Sequence, residues 1–139
     1  CTYVDVLDHP LRRLSHMLIR DSYNGPDALY SSREICFCCN YDVGLAIVDV
    51  TDKSNPITIS VKTYENKQLT HQGWLSSDHK FFVFGDEEDE IKGAEATRTI
   101  VMNVESLASP IVAGLHFGPS GAIDRNLYIK YDAVYGDIV

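Results

Sequence analysis

The chain has 139 residues, a formal net charge of −8 at pH 7 and 45% hydrophobic residues. This composition is typical of a globular chain with one ordinary core rather than of a disordered or membrane chain. No apolar run approaches the roughly 20 residues that a membrane helix needs. The acidic balance argues against a nucleic-acid partner, which requires a basic surface.

The first residue is Cys1, and a short strand-like stretch, YVDVLD at 3–8, follows it. A turn at Asp8-His9-Pro10 ends this stretch. We expect it to be the last part of a structural repeat, so that the chain is a piece of a longer protein. The next stretch, 11–19, is predicted to be a strand.

The most informative stretch is GLAIVDVTDKSNPITI at 44–59, which has an aliphatic run, a polar turn and a second aliphatic run. It predicts strand, tight turn and strand, because β-branched residues suit a pleated surface and a proline cannot extend a ladder. A second copy follows at 97–114, where Val104 and Pro110 match Val50 and Pro56 at one common offset. The stretch at 3–8 is a weaker copy, so we interpret the chain as a repeat protein.

About four short strands fit into each period, and no long amphipathic helix is evident. Further strands are predicted at 34–40, 80–84 and 111–117. Short strands that recur in fours at a period of roughly 50 residues are typical of propeller blades. The prediction is therefore an all-β fold of four-stranded antiparallel blades, about two and a half of them, in one partial β-propeller. The repeat units are expected at 1–14 (partial), 15–69, 70–123 and 124–139 (partial).

One polar position recurs with the repeat. His71 follows His16, and Arg125 follows His71, at intervals that match the period to within one residue. In a propeller such side chains could ring one channel mouth, so His16, His71, Arg125 and the neighbouring Asp124 are candidate ligand-facing residues. The alternative is that each polar head caps a neighbouring loop. Arg125, a permanent cation, argues against a metal at its own position.

An acidic run, Asp86-Glu87-Glu88-Asp89-Glu90, is predicted to lie in a loop over 85–96. Ca²⁺ takes six to eight oxygen ligands, which such a loop can supply. The EF-hand spacing is absent, and a solvated loop is the alternative interpretation. The candidate ligands are Asp86, Glu88, Asp89 and Glu90, and Ca²⁺ is the only cofactor that the sequence suggests.

Three cysteines crowd together at Cys36, Cys38 and Cys39. On a strand, the first two share one face and Cys39 lies on the other. We interpret them as thiols that fill the core, with a disulfide to Cys1 or to another segment as the alternative. Zinc binding is disfavoured because no second ligand pair is present. Arg33 and Arg98 are expected to form ion pairs between strands or blades, and Trp74 is expected to be a packing anchor.

Several motifs resemble the LVIVD repeat of the secreted choice-of-anchor B domain family. They are GLAIVDVTDKSNPITIS at 44–60, YNGPD at 23–27, REICF at 33–37, THQGWL at 70–75, DEEDE at 86–90, TRT at 97–99, FGP at 117–119 and AIDRNLY at 122–128. The resemblance implies a β-propeller in an extracellular setting, held at a cell surface by other segments. It implies no particular reaction.

The sequence has no Gly-x-Ser-x-Gly, His-Glu-x-x-His or phosphate-binding glycine loop. The leading hypothesis is a non-enzymatic extracellular module that serves as a binding or structural scaffold, with Ca²⁺ as a stabiliser. Its partners would be proteins, other extracellular components or further blades. The alternative is a hydrolase or lyase whose propeller face holds Ca²⁺ or another divalent ion with His71 and the acidic loop. His71 with Asp86 or Asp124 could form a base and its orienting group, but no nucleophile is evident.

Overall fold

In a computed structural model of the chain, residues 17–40, 43–87, 96–119, 124–130 and 133–138 are described. They form an all-β structure, as predicted, with one turn of 3-10 helix at Ala28–Tyr30. The strands are β1 (Met17–Ser22), β2 (Glu34–Asn40), β3 (Gly44–Asp49), β4 (Ile57–Lys62), β5 (Leu69–Leu75), β6 (Phe81–Glu87), β7 (Arg98–Asn103), β8 (Ile111–Phe117), β9 (Asp124–Lys130) and β10 (Ala133–Ile138).

The strands form three antiparallel sheets in chain order. Sheet A has the order β1-β2-β3-β4, sheet B has the order β5-β6-β7-β8, and sheet C consists of β9 and β10. Neighbours along the chain are therefore neighbours in the sheet. This arrangement needs only short turns between strands.

The two four-stranded sheets repeat one another in detail. The amide of Val50 donates to the Glu34 carbonyl at 2.8 Å, and the amide of Val104 donates to the Lys80 carbonyl at the same distance. The turn that follows β3 begins with the Thr51 amide on an Asp49 carboxylate oxygen, and its counterpart is the Glu105 amide on the Asn103 side-chain oxygen. A register shift also falls at equivalent places in the two sheets, at Ile47/Val48 and at Val101/Met102.

Successive sheets are in contact through their early strands, β1 and β2 against β5, and β5 and β6 against β9. The fourth strands, β4 and β8, are largely exposed, whereas β3 is buried along its whole length. The main core lies between sheets A and B, where Phe37 stacks on Phe82 with ring centroids 5.0 Å apart. Two hydrogen bonds also join the two sheets at one end of this interface. The Leu107 amide donates to Asp27, and the Leu107 carbonyl accepts from Ser60.

The predicted start of the acidic loop was wrong. The acidic loop was expected to begin at Gly85, but β6 continues through Asp86 to Glu87. Asp86 thus lies in a ladder opposite Thr70 of β5 rather than in a solvated loop. The reason is that Asp86 has internal hydrogen-bond partners, which offset the cost of burying its charge.

Candidate functional site

Antiparallel strands alternate in direction, so the ends of β4, β6 and β8 and the starts of β5, β7 and β9 lie at one end of the sheets. We call it the linker end, because the chain passes there from one sheet to the next. The starts of β5 and β9 and the end of β6 lie at this end. These are the segments that hold the predicted residues His71, Arg125 and Asp86.

Among the described residues, the polar pair that most resembles a catalytic arrangement is His71 with Glu87. His71 Nε2 lies 3.5 Å from Glu87 Oε2, and both side chains are largely buried, with 18% and 13% of their area exposed. Both also have other interactions. The sequence hypothesis had paired His71 with Asp86 or Asp124. The structure places Glu87 beside it, because alternate residues of a strand face opposite ways and Asp86 faces away.

Asp86 is fully buried and pairs with the guanidinium of Arg98 on the neighbouring strand β7. Its carboxylate also accepts the backbone amides of Gln68, at 3.1 Å, and Leu69, at 2.6 Å. Arg98 in turn donates to the carbonyls of Glu65 and Asn66. The pair therefore holds the β4–β5 connection against sheet B, and both carboxylate oxygens of Asp86 already have donors.

An aromatic residue completes this cluster. The Tyr64 ring lies 5.8 Å from the Arg98 guanidinium carbon, and its hydroxyl is 2.9 Å from the Thr70 hydroxyl. Burial raises the pKa of Tyr64, and the hydrogen bond with Thr70 offsets this only in part. Tyr64 therefore stays neutral and acts here as a hydrogen-bonding and packing residue.

The remaining predicted site residues are placed only in part. Asp124 and Arg125 begin β9, and Arg125 occupies the position in sheet C that His71 occupies in sheet B. His16, Glu88, Asp89 and Glu90 lie outside the described residues. Within the described ranges, no three His, Cys, Asp or Glu side chains form a group that could hold a metal ion.

The cysteines follow the predicted alternation. Cys36 and Cys38 lie on one face of sheet A with Ala46, Val48 and Val50, while Cys39 belongs to the core between sheets A and B. The Sγ atoms of Cys36 and Cys38 are 3.4 Å apart, and all three cysteines are reduced thiols.

Their surroundings favour the protonated form of Cys38 and Cys39. The hydrogen bond with Cys36 and burial both raise the pKa of Cys38, and burial raises the pKa of Cys39. Buried thiols that stay protonated are poor nucleophiles and poor metal ligands.

Sequence reasoning missed Gln72. Its side chain is buried, and its Oε1 accepts the Leu127 amide of sheet C at 2.6 Å. Trp74 packs on Tyr128 with ring centroids 5.5 Å apart, so it is an anchor between sheets B and C as expected, although 38% of it remains exposed. The available signal for Gln72 was a polar residue in the middle of a strand, followed by a glycine and two apolar residues.

Chemically, the linker end offers one imidazole–carboxylate pair and one buried ion pair. The ion pair of Asp86 and Arg98 fixes backbone, because the carboxylate and the guanidinium each bind main-chain groups of the β4–β5 connection. Among the described residues of the linker end, His71 with Glu87 is an imidazole–carboxylate pair, which is the kind of pair that general acid–base chemistry uses.

No protein-family model matches the sequence, and no curated protein matches it significantly. Among the described residues, no helix is both long and apolar enough to cross a bilayer.

Proposed function

We propose that this chain is a partial β-propeller that serves as a non-enzymatic binding or structural scaffold outside the cell. One observation carries the proposal. Two four-stranded meanders follow each other with matching hydrogen bonds and contact each other through their early strands, while their fourth strands face outwards. Blades around an axis have this relation.

The polar residues of the linker end support a scaffold rather than a catalyst. Asp86 and Arg98 use their side chains to hold the connection between two sheets. A catalytic carboxylate would instead be directed at a cavity and a reacting group. The extracellular setting rests on the family resemblance.

The propeller arrangement can be tested by residual dipolar couplings measured on the three sheets in solution. The rotation that relates sheet A to sheet B should recur between sheets B and C. A pair of sheets aligned as in a sandwich, at about 30° to each other with no recurring rotation, would overturn the proposal.

Calcium remains part of the proposal through the acidic run. Thermal unfolding with millimolar Ca²⁺, and with EDTA as the control, tests it. An increase in Tm of several degrees would show that a cation binds the folded chain selectively. An unchanged Tm would remove calcium from the proposal and leave the scaffold.

A divalent-metal-dependent hydrolase or lyase remains the second candidate, and the approach of His71 to Glu87 favours it. The discriminating experiment is a hydrolysis screen with added divalent cations. It would be run on the chain and on the His71→Gln and Glu87→Gln variants. Turnover that both variants lose would support the enzyme and contradict the scaffold.

A further inference from the structure

The connection between β1 and β2 lies against sheet B. The amide of Asn24 donates to Nδ1 of His79, in the turn between β5 and β6, at 3.3 Å. The Tyr23 ring meets the His79 ring edge-on, with ring centroids 5.6 Å apart. Further along the connection, Asp27 accepts the Leu107 amide at 3.0 Å. The β1–β2 connection is therefore one of the places where sheet A holds sheet B.

One dipeptide in this connection combines the two groups that react in asparagine deamidation. Asn24 is followed by Gly25, and no other asparagine of the sequence precedes a glycine. In this reaction the backbone nitrogen of the following residue attacks the side-chain carbon Cγ of asparagine, and a five-membered imide forms. Glycine favours the ring closure, because it has no Cβ to shield its nitrogen and its backbone adopts unusual dihedral angles readily.

The structure leaves both reacting groups accessible. Asn24 is exposed, and its Nδ2 donates to the Ser22 carbonyl at 3.0 Å in an exposed hydrogen bond. Gly25 is partly exposed, and its amide has no hydrogen-bond partner in the part of the chain that the structure describes. Neither group therefore has to break a buried hydrogen bond before the carbon and the nitrogen can meet.

Three other asparagines are protected at the same point. After Asn103, the next amide donates to the Lys80 carbonyl at 2.8 Å. After Asn126, the next amide donates to Gln72 Oε1 at 2.6 Å. After Asn55, the next residue is a proline, whose nitrogen has no hydrogen to lose. The fold thus withholds the attacking nitrogen at these residues and leaves it available beside Asn24.

The product of the reaction does not fit the β1–β2 connection. Water opens the imide to aspartate or to isoaspartate, and in isoaspartate the main chain is one atom longer. A longer main chain shifts Gly25, which has no free space around it, because a Cβ built there would lie 2.6 Å from the Tyr23 ring and 2.8 Å from His79 Cβ. Both products also add a negative charge to a chain whose net charge is already −8.

We propose that Asn24 is a site of spontaneous deamidation, and that its isoaspartate product displaces the β1–β2 connection from sheet B. In the first step, the Gly25 nitrogen loses its proton to hydroxide and bonds to Asn24 Cγ, and the side-chain nitrogen takes a proton from water and leaves as ammonia. In the second step, water adds to one imide carbonyl and one C–N bond breaks, which gives a carboxylic acid. Water is the only co-reactant, and the proposal does not depend on the blade arrangement.

The reaction is tested by incubating the chain at neutral and at alkaline pH, folded and in urea, with peptide mapping by mass spectrometry. In the folded chain, deamidation of Asn24 should rise with hydroxide concentration and be at least about tenfold faster than that of Asn103 or Asn126. Urea should accelerate Asn103 and Asn126 more than Asn24, because it frees the amides that the fold engages. Asn24→Gln is the matched control and should abolish the mass change at this position, since glutamine would need a six-membered ring.

Two results would overturn the site. One is deamidation of Asn24 in the folded chain at a rate no faster than that of Asn103 and Asn126. The other is an acceleration of Asn24 in urea as large as theirs, because the fold would then protect all three residues alike.

The effect of the product is measured after ion-exchange chromatography has separated the isoaspartate form from the unmodified chain. Hydrogen exchange of the Leu107 amide, which Asp27 accepts, should be several-fold faster in the isoaspartate form. Asn24→Asp supplies the added charge with a main chain of normal length and should cause a smaller change. Unchanged exchange in the isoaspartate form would overturn the displacement, and an equal change in Asn24→Asp would assign it to charge and overturn the role of the longer main chain.

Discussion

Sheets A and B have different residues at one pair of equivalent positions on neighbouring strands. Asn40 and Gly44 of sheet A are equivalent to Asp86 and Arg98 of sheet B, because Cys38 pairs with Ala46 as Phe84 pairs with Ile100. Sheet B thus has a buried acid neutralised by a guanidinium. Sheet A has a neutral amide opposite a glycine. A neutral amide needs no counter-charge, so neither pair leaves an unbalanced charge in the interior.

Asn40 and Asp86 also differ in the hydrogen bonds that their side chains accept. Asn40 Oδ1 is buried and has no hydrogen-bond partner in the described part of the chain. At the equivalent place, Asp86 accepts two amides from the segment that leads into β5. The carboxylate therefore stabilises a connection between sheets, which is a role that composition alone would not assign to a residue in an acidic run.

Asp86→Ala should destabilise the chain more than any other substitution at these equivalent positions. It leaves the Arg98 charge buried without its counter-ion and removes the acceptor of two amides, at a cost of about 3–5 kcal/mol in the free energy of unfolding. Asn40→Ala is the matched variant and should cost about 1–3 kcal/mol or less. Urea unfolding of both measures the difference, and equal costs would contradict the assigned role of the ion pair.

The buried apolar side chains of sheets A and B also differ in size at equivalent positions. Ala46 stands where Ile100 stands, and both are buried. Ile100→Ala gives sheet B the residue of sheet A and should cost about 2–4 kcal/mol, because it leaves a cavity. The reverse change, Ala46→Ile, should cost about 1–3 kcal/mol by overpacking. Chemical denaturation measures the free energy of unfolding of both variants. A neutral or stabilising Ala46→Ile would contradict the overpacking argument, because it would show that the site of Ala46 has room for an isoleucine.

Gly44 of sheet A cannot be replaced without strain by a residue that has a side chain, such as Arg98 at the equivalent position of sheet B. Its φ is +113°, and a Cβ there would collide with the Lys62 carbonyl oxygen. Gly44→Ala should therefore cost about 1–3 kcal/mol. Gly114→Ala is the control, because a Cβ there has no atom within 4 Å. If thermal unfolding shows the same loss for both, the backbone argument fails.

The smallest expected effect concerns the turns after β3 and β7. Burial opposes ionisation of Asp49, but hydrogen bonds from Thr51 and Arg33 outweigh it and lower its pKa. A lowered pKa in the folded state gives stability that is present above the unfolded-state value, near 3.9, and is lost as the pH falls through the folded-state value. Asn103 fills the equivalent position without a charge.

Asp49→Asn should thus cost about 1 kcal/mol at pH 7 and less at pH 3, where the wild-type carboxylate is more protonated. Urea unfolding of the chain and the variant at the two pH values provides the measurement. A cost that is independent of pH would assign the effect to packing instead.

The sequence predicted most strands because their patterns are local. Residues 34–40 and 111–117 were assigned with the bounds that the structure has, since mainly apolar runs there end at turn residues. The partners of Asp86 could not be predicted in this way. They come from Arg98 and from the Gln68 and Leu69 amides, and a run of five acids gives no sign that its first member is buried. The pairing of His71 with Glu87 was missed for the same reason, because the β6 boundary had been placed too early.

The meander order has a consequence for how the chain folds. Strands that are consecutive in sequence pair with each other, so most closures involve short loops and little chain entropy. Either four-stranded sheet can therefore form before the other, and the stability of the whole approximates a sum over sheets and the interfaces between neighbours. A destabilising change in one of these two sheets should reach the other through the core that they share and through Leu107, whose amide and carbonyl both tie sheet B to sheet A, and hydrogen exchange would follow this spread.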